Sequence, residues 1–310
     1  MDRNFEERVR LAAFAELRSR QTIHGEVLPY QEAIKPPVRV DGLEIPLMTL
    51  QKGIHKPARL NVALSVVTTA PKRNAVAPYD DRFDAQHLMR YHYRDAQSVA
   101  AAAHRQAEAE NAAVRLAMSA QLPIIYFYGV RPGRYLPFFP VYVVNDHPES
   151  REFSLDLTGI PYVVSDLAAA EAPEREYRSR VVKERLHQAG FRESVMTAYE
   201  NHCAVCRLKR VELVEAAHIV PDSNGGPPVV TNGMAMCKLH HAAFDRNVLG
   251  VRPDLTVAIR GDVLEEVDGP MLAHGLKDFH GQQLMHIPRR SLDKPGEEFL
   301  ERRWAEFSAA

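Results

Sequence analysis

The sequence predicts an α+β protein, β-rich through its N-terminal half and cross-linked near its C-terminal end. Three observations predict it. Short apolar runs punctuated by Gly and Pro fill residues 43 to 157, helical periodicity is confined to a few segments, and all three cysteines fall between Cys203 and Cys237.

The first element is a helix over residues 3 to 20, where Phe5, Val9, Ala12, Ala13 and Leu17 recur at helical spacing with Arg and Glu opposite. A short segment, LPYQEAI, ends before Pro36-Pro37. Strand-like runs follow: alternation around Ile45, then LNVALSVVTT, LMRYHYRD, LPIIYFYGV, FFPVYVVND and REFSLDL. Breaks fall at Gly53, Pro71, Pro78, Gly129, Pro132-Gly133 and Pro148, and an Ala-rich helix from about Ala96 to Met118 interrupts the runs. Many short strands with one helix point to a strongly curved sheet or barrel. The polar stretch SDLAAAEAPEREYRSR, from residue 165, reads as a connection running into a helix that ends near Tyr199. That gives a β-rich domain over 1–165, a linker and helix over 166–197, and a second domain over 198–310. In the last domain GVRPDLTVAI and the segment near MHIP read as strands, Phe244 and Trp304 as core, and RRWAEF as a packed helix.

Charge and composition narrow the function. With 310 residues, 45% hydrophobic and 25% charged, the chain suits about two soluble domains. A net charge of −1 means that any nucleic-acid surface is local. No apolar run approaches the ~20 residues that span a bilayer, and the charged start MDRNFEERVRLAAF is unlike a signal peptide. An odd, clustered set of cysteines is unlike a disulfide framework, so a cytoplasmic protein with a metal site is expected, with no membrane partner.

The cysteines explain themselves by spacing. Cys203-Ala204-Val205-Cys206 and Cys237-Lys238-Leu239-His240 are two ligand pairs, each with two intervening residues, which is how a chain bites two sides of a tetrahedral ion. Thiolates select zinc over magnesium, and four protein ligands leave no open position, so the Zn²⁺ is structural. The alternative, three buried free cysteines and a surface histidine, does not explain the pairing.

Between the two pairs lies EAAHIVPDSNGGPPVVTNGMAMCKLHHAAFD, residues 215 to 245. It resembles the HNH, or ββα-metal, nucleases, with His218, Asn232 and His241 as the matching residues: His in a strand, a Gly-rich turn at Asn224-Gly225-Gly226, Asn leading into a helix, and His within that helix. The stretch from Ala198 to Asp268 reads most like modification-dependent, McrA-like restriction endonucleases. The resemblance implies a zinc-stapled ββα-metal domain that hydrolyses phosphodiester bonds in double-stranded DNA with Mg²⁺ or another divalent metal. His218, a neutral imidazole, is the general base. The resemblance makes Asn232 the residue that holds the loop and orients that base, and His241 a ligand of the catalytic metal. Successive helical residues point about 100° apart, so His240 can face the knuckle while His241 faces the cleft. One departure stands out: many members carry Asp immediately before the base, and here that position is Ala217. Glu215, on the same strand face, or water would take its place.

The N-terminal half carries aromatic and Arg residues around a Pro-Gly turn. Tyr91, Tyr93 and Arg94, with Arg131 and Arg134 flanking Pro132-Gly133, have the chemistry to stack a flipped base and hold its phosphates. The bland reading of alternate aromatics is core. A β-rich reader ahead of an HNH nuclease looks like restriction enzymes that cut only modified DNA, in which the reader is often a PUA- or SRA-like barrel. Six basic side chains between Arg175 and Arg192 read either as a solvated helix face or as a phosphate-contacting strip. Two further readings stand beside this one: an HNH nuclease directed by sequence or by a partner, and an inactive zinc-dependent DNA-binding module. A duplex cut with one nuclease site per chain needs two sites or two sequential nicks, so a homodimer is expected.

Overall fold

The computed structural model describes residues 3–50, 53–69, 83–84, 88–95, 100–159 and 172–310, with backbone alone at 172–175. Pro71, Pro78, the start of the Ala-rich helix at Ala96 and most of the polar connection lie outside the described residues, as does the side chain of Arg175. The chain divides into two units, Met1–Ala189 and Gly190–Ala310. The division falls inside helix α3 (Ala172–Ala198), which gives Val182, Leu186 and Ala189 to the first core and Phe191, Val195 and Met196 to the second.

The first unit is built on one seven-stranded sheet. Its path runs β4 (Ile54–His55), β5 (Ser65–Thr68), β7 (Ile124–Arg131), β8 (Arg134–His147), β9 (Glu152–Asp156) and β6 (Met89–His92), with β1 (Leu28–Pro29) added beside β8. Neighbours are antiparallel except β5 and β7, which run parallel because β6 and helix α2 (Ala101–Ala120) lie between them in the chain. Register shifts between Val143 and Asn145 and at both ends of the β7–β8 pair bend the sheet. Among the described residues the path is open, with β4 and β6 at its ends rather than joined.

The continuous apolar run of β7 is the reason for the layering. Ile124, Tyr126, Tyr128 and Val130 point into one cluster with Val114 and Ala117 of α2, while Ile125 and Phe127 point into another with helix α1 (Arg3–His24). Both faces are therefore covered, which is what a strand without polar alternation requires. Helix α1 buries Val9, Ala13, Phe14 and Leu17, close to the face its periodicity predicts. LPYQEAI is only partly regular: Leu28–Pro29 pair with β8, and Tyr30–Ile34 make a single wide helical turn. Val38–Val40 (β2) and Leu43–Ile45 (β3) form a hairpin across Asp41 and Gly42, both at positive φ, as a tight hairpin turn requires.

The second unit has a ββα core: β10 (Val214–His218), β11 (Gly233–Cys237) and helix α4 (Lys238–Asp245). A second hairpin, β12 (Leu249–Val251) with β13 (Val257–Ile259), packs beside it, followed by short helices α5 (Gly261–Glu265) and α6 (Pro270–Gly275) and the C-terminal α7 (Glu297–Ser308). Three expectations are corrected here. Asn232 leads into strand β11 rather than directly into a helix. The MHIP segment is not a strand, because its amides go elsewhere: Leu284 N–H donates to Leu255 and His286 N–H to Ala204. Trp304 is half-buried, stacked on Phe307 beneath Arg252, whereas Phe244 is core.

One charged pair ties α1 to the sheet. Arg10 and Glu6 are 2% exposed and 2.7 Å apart, and Arg10 also donates to the carbonyls of Pro123 and Ala63. Glu6 in turn accepts from the amides of Asn61 and Val62. Removing one member of such a pair strands the other charge in the interior. Glu6→Gln should lower the unfolding free energy by about 3 kcal/mol, read as an earlier urea transition, and a loss below about 1 kcal/mol would show that the pair is dispensable.

Candidate active site and metal centre

The two ligand pairs converge as their spacing predicts. Cys203 and Cys206 sit in a turn closed by Cys203 N–H to Leu208 and Arg207 N–H to Cys203, with Arg207 at positive φ. Cys237 ends β11 and His240 lies one turn into α4. The four donor atoms all lie within 4.8 Å of one another. Nδ1 of His240 stands 3.4 Å from Sγ of Cys203 and 3.1 Å from Sγ of Cys237, and the sulfurs of Cys206 and Cys237 are 4.0 Å apart. Ligands held about 2.0–2.3 Å from one zinc would be separated by roughly 3.5–3.8 Å, so the set fits such an ion. Nε2 of His240 faces the Gly275 carbonyl at 2.9 Å. Donation of Nε2–H there leaves Nδ1 as the lone pair turned toward the sulfurs, the second contact that a ligating histidine needs.

The hairpin ahead of α4 is pinned by one buried amide. Asn232 is fully buried. Its Oδ1 accepts from Val220 N–H at 2.9 Å, and Nδ2 donates to the carbonyls of Val220 and Pro227, each at 3.0 Å. Its own carbonyl accepts from Ile219 N–H. The loop from β10 to β11 is thus gathered directly behind His218, which pairs with Gly233 at the end of the ladder. Gly226 closes the loop: a Cβ there would lie 1.9 Å from the Val220 carbonyl oxygen.

His218 stacks on Phe191, ring centroids 3.8 Å apart at 10°. Burial pulls its pKa below the ordinary imidazole value, with Asp222 pulling weakly the other way. The ring is therefore neutral near pH 7. His241 projects from α4 toward β10, with Nδ1 3.0 Å from Glu215 Oε2 and Nε2 3.5 Å from Asp245 Oδ2. The structure thus brings together Glu215, His218, Asn232 and His241 around one hairpin and its helix. Ala217 is fully buried and, two residues along β10, lies on the same strand face as Glu215. Asp245 and Phe191 were not singled out from the sequence. A His-to-Asp spacing of four on α4 signals Asp245, whereas Phe191 carries no local signal because it arrives from α3.

The five aromatic and arginine residues of the first unit are not gathered into a pocket. Tyr91 is buried, donates to the Gly53 carbonyl at 2.7 Å and meets Tyr126 edge-on. Tyr93 is buried against Phe153, with its hydroxyl on Asp146 and the Arg115 and Arg151 guanidinium groups over its ring. Arg94 is ion-paired with Glu110 at 2.6 Å, and its backbone is clasped by Asn111. Tyr91 and Tyr93 are core, and half-buried Arg94 is committed to Glu110, which corrects the expectation that these rings and this guanidinium lie open to a base. Arg131 and Arg134 do flank the Pro132-Gly133 turn, half-buried and opposite one another. In the basic helix, Lys183 and Arg185 lie over Phe83 and Phe138, and Arg192 reaches the Val214 carbonyl, so part of that strip serves packing.

The buried loop contacts set a measurable cost. Asn232→Ala would leave two carbonyls and one amide of the loop without partners, at about 1–3 kcal/mol for each group that water does not reach. A drop of at least 2 kcal/mol is therefore expected in chemical denaturation, and Gly226→Ala should likewise destabilise the loop.

Comparison with known proteins places this geometry. The HNH endonuclease family matches residues 203–252, the span from the first knuckle cysteine to just past β12. No curated protein gives a significant match. Among solved structures, a modification-dependent TagI restriction endonuclease is 16% identical, covering 83% of this chain and 86% of its own at a TM-score of 0.30. The type IV phosphorothioation-dependent restriction endonuclease ScoMcrA is 15% identical, covering 62% of this chain and 51% of its own at a TM-score of 0.22. Among the described residues no helix is long and apolar enough to cross a membrane. The chain carries an HNH endonuclease domain at residues 203–252 and is a nuclease.

Proposed function

We propose that the chain is a metal-dependent DNA endonuclease of the modification-dependent restriction kind, with residues 198–310 as the nuclease and residues 1–165 as the reader. The observation that carries the nuclease half is a neutral, Phe191-stacked His218 at the end of β10, beside a His241 flanked by two carboxylates. His218 takes the proton of the attacking water, and its depressed pKa keeps it competent as a base at neutral pH. Asn232 holds the loop that fixes the His218 backbone. Glu215 accepts from Nδ1–H of His241, which leaves Nε2 and the Asp245 carboxylate as an imidazole–oxygen pair suited to a divalent ion. A bound Mg²⁺ or similar cation supplies Lewis-acid stabilisation of the phosphate and the leaving oxygen. In this arrangement Glu215 orients the ligand His241 instead of replacing the Asp missing at Ala217. Cys203, Cys206, Cys237 and His240 hold a structural Zn²⁺.

Selectivity needs a second source. Chemistry at a phosphodiester touches only what every DNA sequence shares, so it reads nothing by itself. The first unit has its own two-faced core and takes no part in the HNH motif, which supports a separate reader role for it. Of the residues suggested for DNA contact, Arg131 and Arg134 at the β7–β8 turn are the ones that remain near the surface. A homodimer would supply the second active site for a duplex cut.

Four measurements test this. On a panel of methylated, hydroxymethylated, glucosylated and phosphorothioated plasmids, the wild type with Mg²⁺ or Mn²⁺ should cut one class at least about tenfold faster than unmodified DNA. Equal cutting of all would favour a sequence- or partner-directed nuclease. His218→Ala should lose about 10²–10⁴-fold in rate while still folding and binding DNA. Because burial depresses the His218 pKa, cleavage should persist below the usual imidazole range and fail only as pH drops through the depressed value. Phe191→Ala, by wetting the ring, should move that acid limb upward. Finally, Cys203→Ser should lose the tightly held zinc and destabilise the second unit; a stable, zinc-free and active variant would sink the structural-zinc assignment.

A further inference from the structure

A second group of metal-ligating side chains lies outside both sites described above. Glu200, His202 and His286 present ligand atoms within 4.8 Å of one another. Glu200 and His202 follow the end of α3, where Glu200 and Asn201 adopt consecutive positive φ values of 51° and 59° and turn the chain back. His286 comes from the segment after β13 and is held there by its N–H to the Ala204 carbonyl at 3.1 Å. The two imidazoles face each other at 4.6 Å between centroids, inclined by 31°.

The ring nitrogens make this more than a crowded corner. Nδ1 of His202 and Nε2 of His286 are both buried from solvent, and neither has a hydrogen-bond partner among the described residues. Two buried imidazole nitrogens without partners are costly unless something electrophilic sits between them. The Glu200 carboxylate supplies the compensating negative charge, with exposed Arg289 on its Oε1 at 3.1 Å and the second oxygen left for an ion.

We infer that Glu200, His202 and His286 form a second divalent transition-metal site, of His₂Glu type and distinct from the Cys₃His cluster. Two neutral imidazoles and one carboxylate suit Zn²⁺, Co²⁺ or Ni²⁺ and not Mg²⁺, which prefers an all-oxygen shell. With three protein ligands the ion keeps at least one position for water. It cross-links the segment after β13 to the residues leading into the knuckle. The inference does not depend on the role given to His218 or His241.

The test uses the full chain carrying its tightly bound zinc, titrated with ZnCl₂ by calorimetry. In the His241→Ala background, which removes the candidate catalytic ligand, one equivalent beyond the tight zinc should bind. That equivalent should be absent when His286→Ala is added and at least about tenfold weaker when Glu200→Gln is added. Circular dichroism and retained tight zinc check that each variant folds. Zinc should also shift the imidazole ¹⁵N resonances of His202 and His286. Absence of the extra equivalent in His241→Ala, as when a proton alone bridges the two rings, overturns the site. So does an equivalent that survives the addition of His286→Ala.

Discussion

The second unit depends on the first turn of α4. Cys237 closes the β11 ladder and His240 comes three residues later, so the cluster formed with Cys203 and Cys206 sets both where the helix begins and how it is rotated. His241 is then about 100° further around the helix and turned toward β10, where Glu215 meets it. Rotation of α4 by a single residue would carry His241 away from the hairpin. Three thiolates and one imidazole within 4.8 Å would be a stiff constraint around one ion, because ligand distances around a metal vary by only a few tenths of an ångström.

The same economy governs the hairpin. Asn232 uses both amide hydrogens and its amide oxygen inside the loop, and Gly226 permits the approach because no Cβ fits against the Val220 carbonyl. A loop gathered in this way fixes the backbone on either side of His218 without touching its ring. The ring is left to Phe191, whose stacking removes water from one face and favours the uncharged imidazole. Orientation comes from the hairpin, and the protonation state from a helix far away in sequence.

In the first unit the constraint is layering. A central strand apolar on both faces must be covered twice, and α1 and α2 supply the two covers. Charged groups drawn into that packing are paired: Arg10 with Glu6, Arg94 with Glu110, Arg115 with Asp146. Tyr91 and Tyr93 belong to this interior, and burial raises the pKa of both phenols, so they are neutral hydrogen-bond donors there.

The sequence by itself determined what depends on local spacing. The helical face of α1, most of the strands, the paired ligand spacing of the knuckle, and the His218, Asn232 and His241 constellation were all legible because the chemistry needs those residue types at those intervals. Tertiary structure alone decided which aromatics were buried, since Tyr91 and Tyr93 read the same whether they line a pocket or a core. It also decided that Glu215 meets His241 and that Phe191 meets His218. Those outcomes, like the meeting of His202 with His286, depend on segments distant in sequence, and the contacts between them are set by packing, which periodicity does not encode.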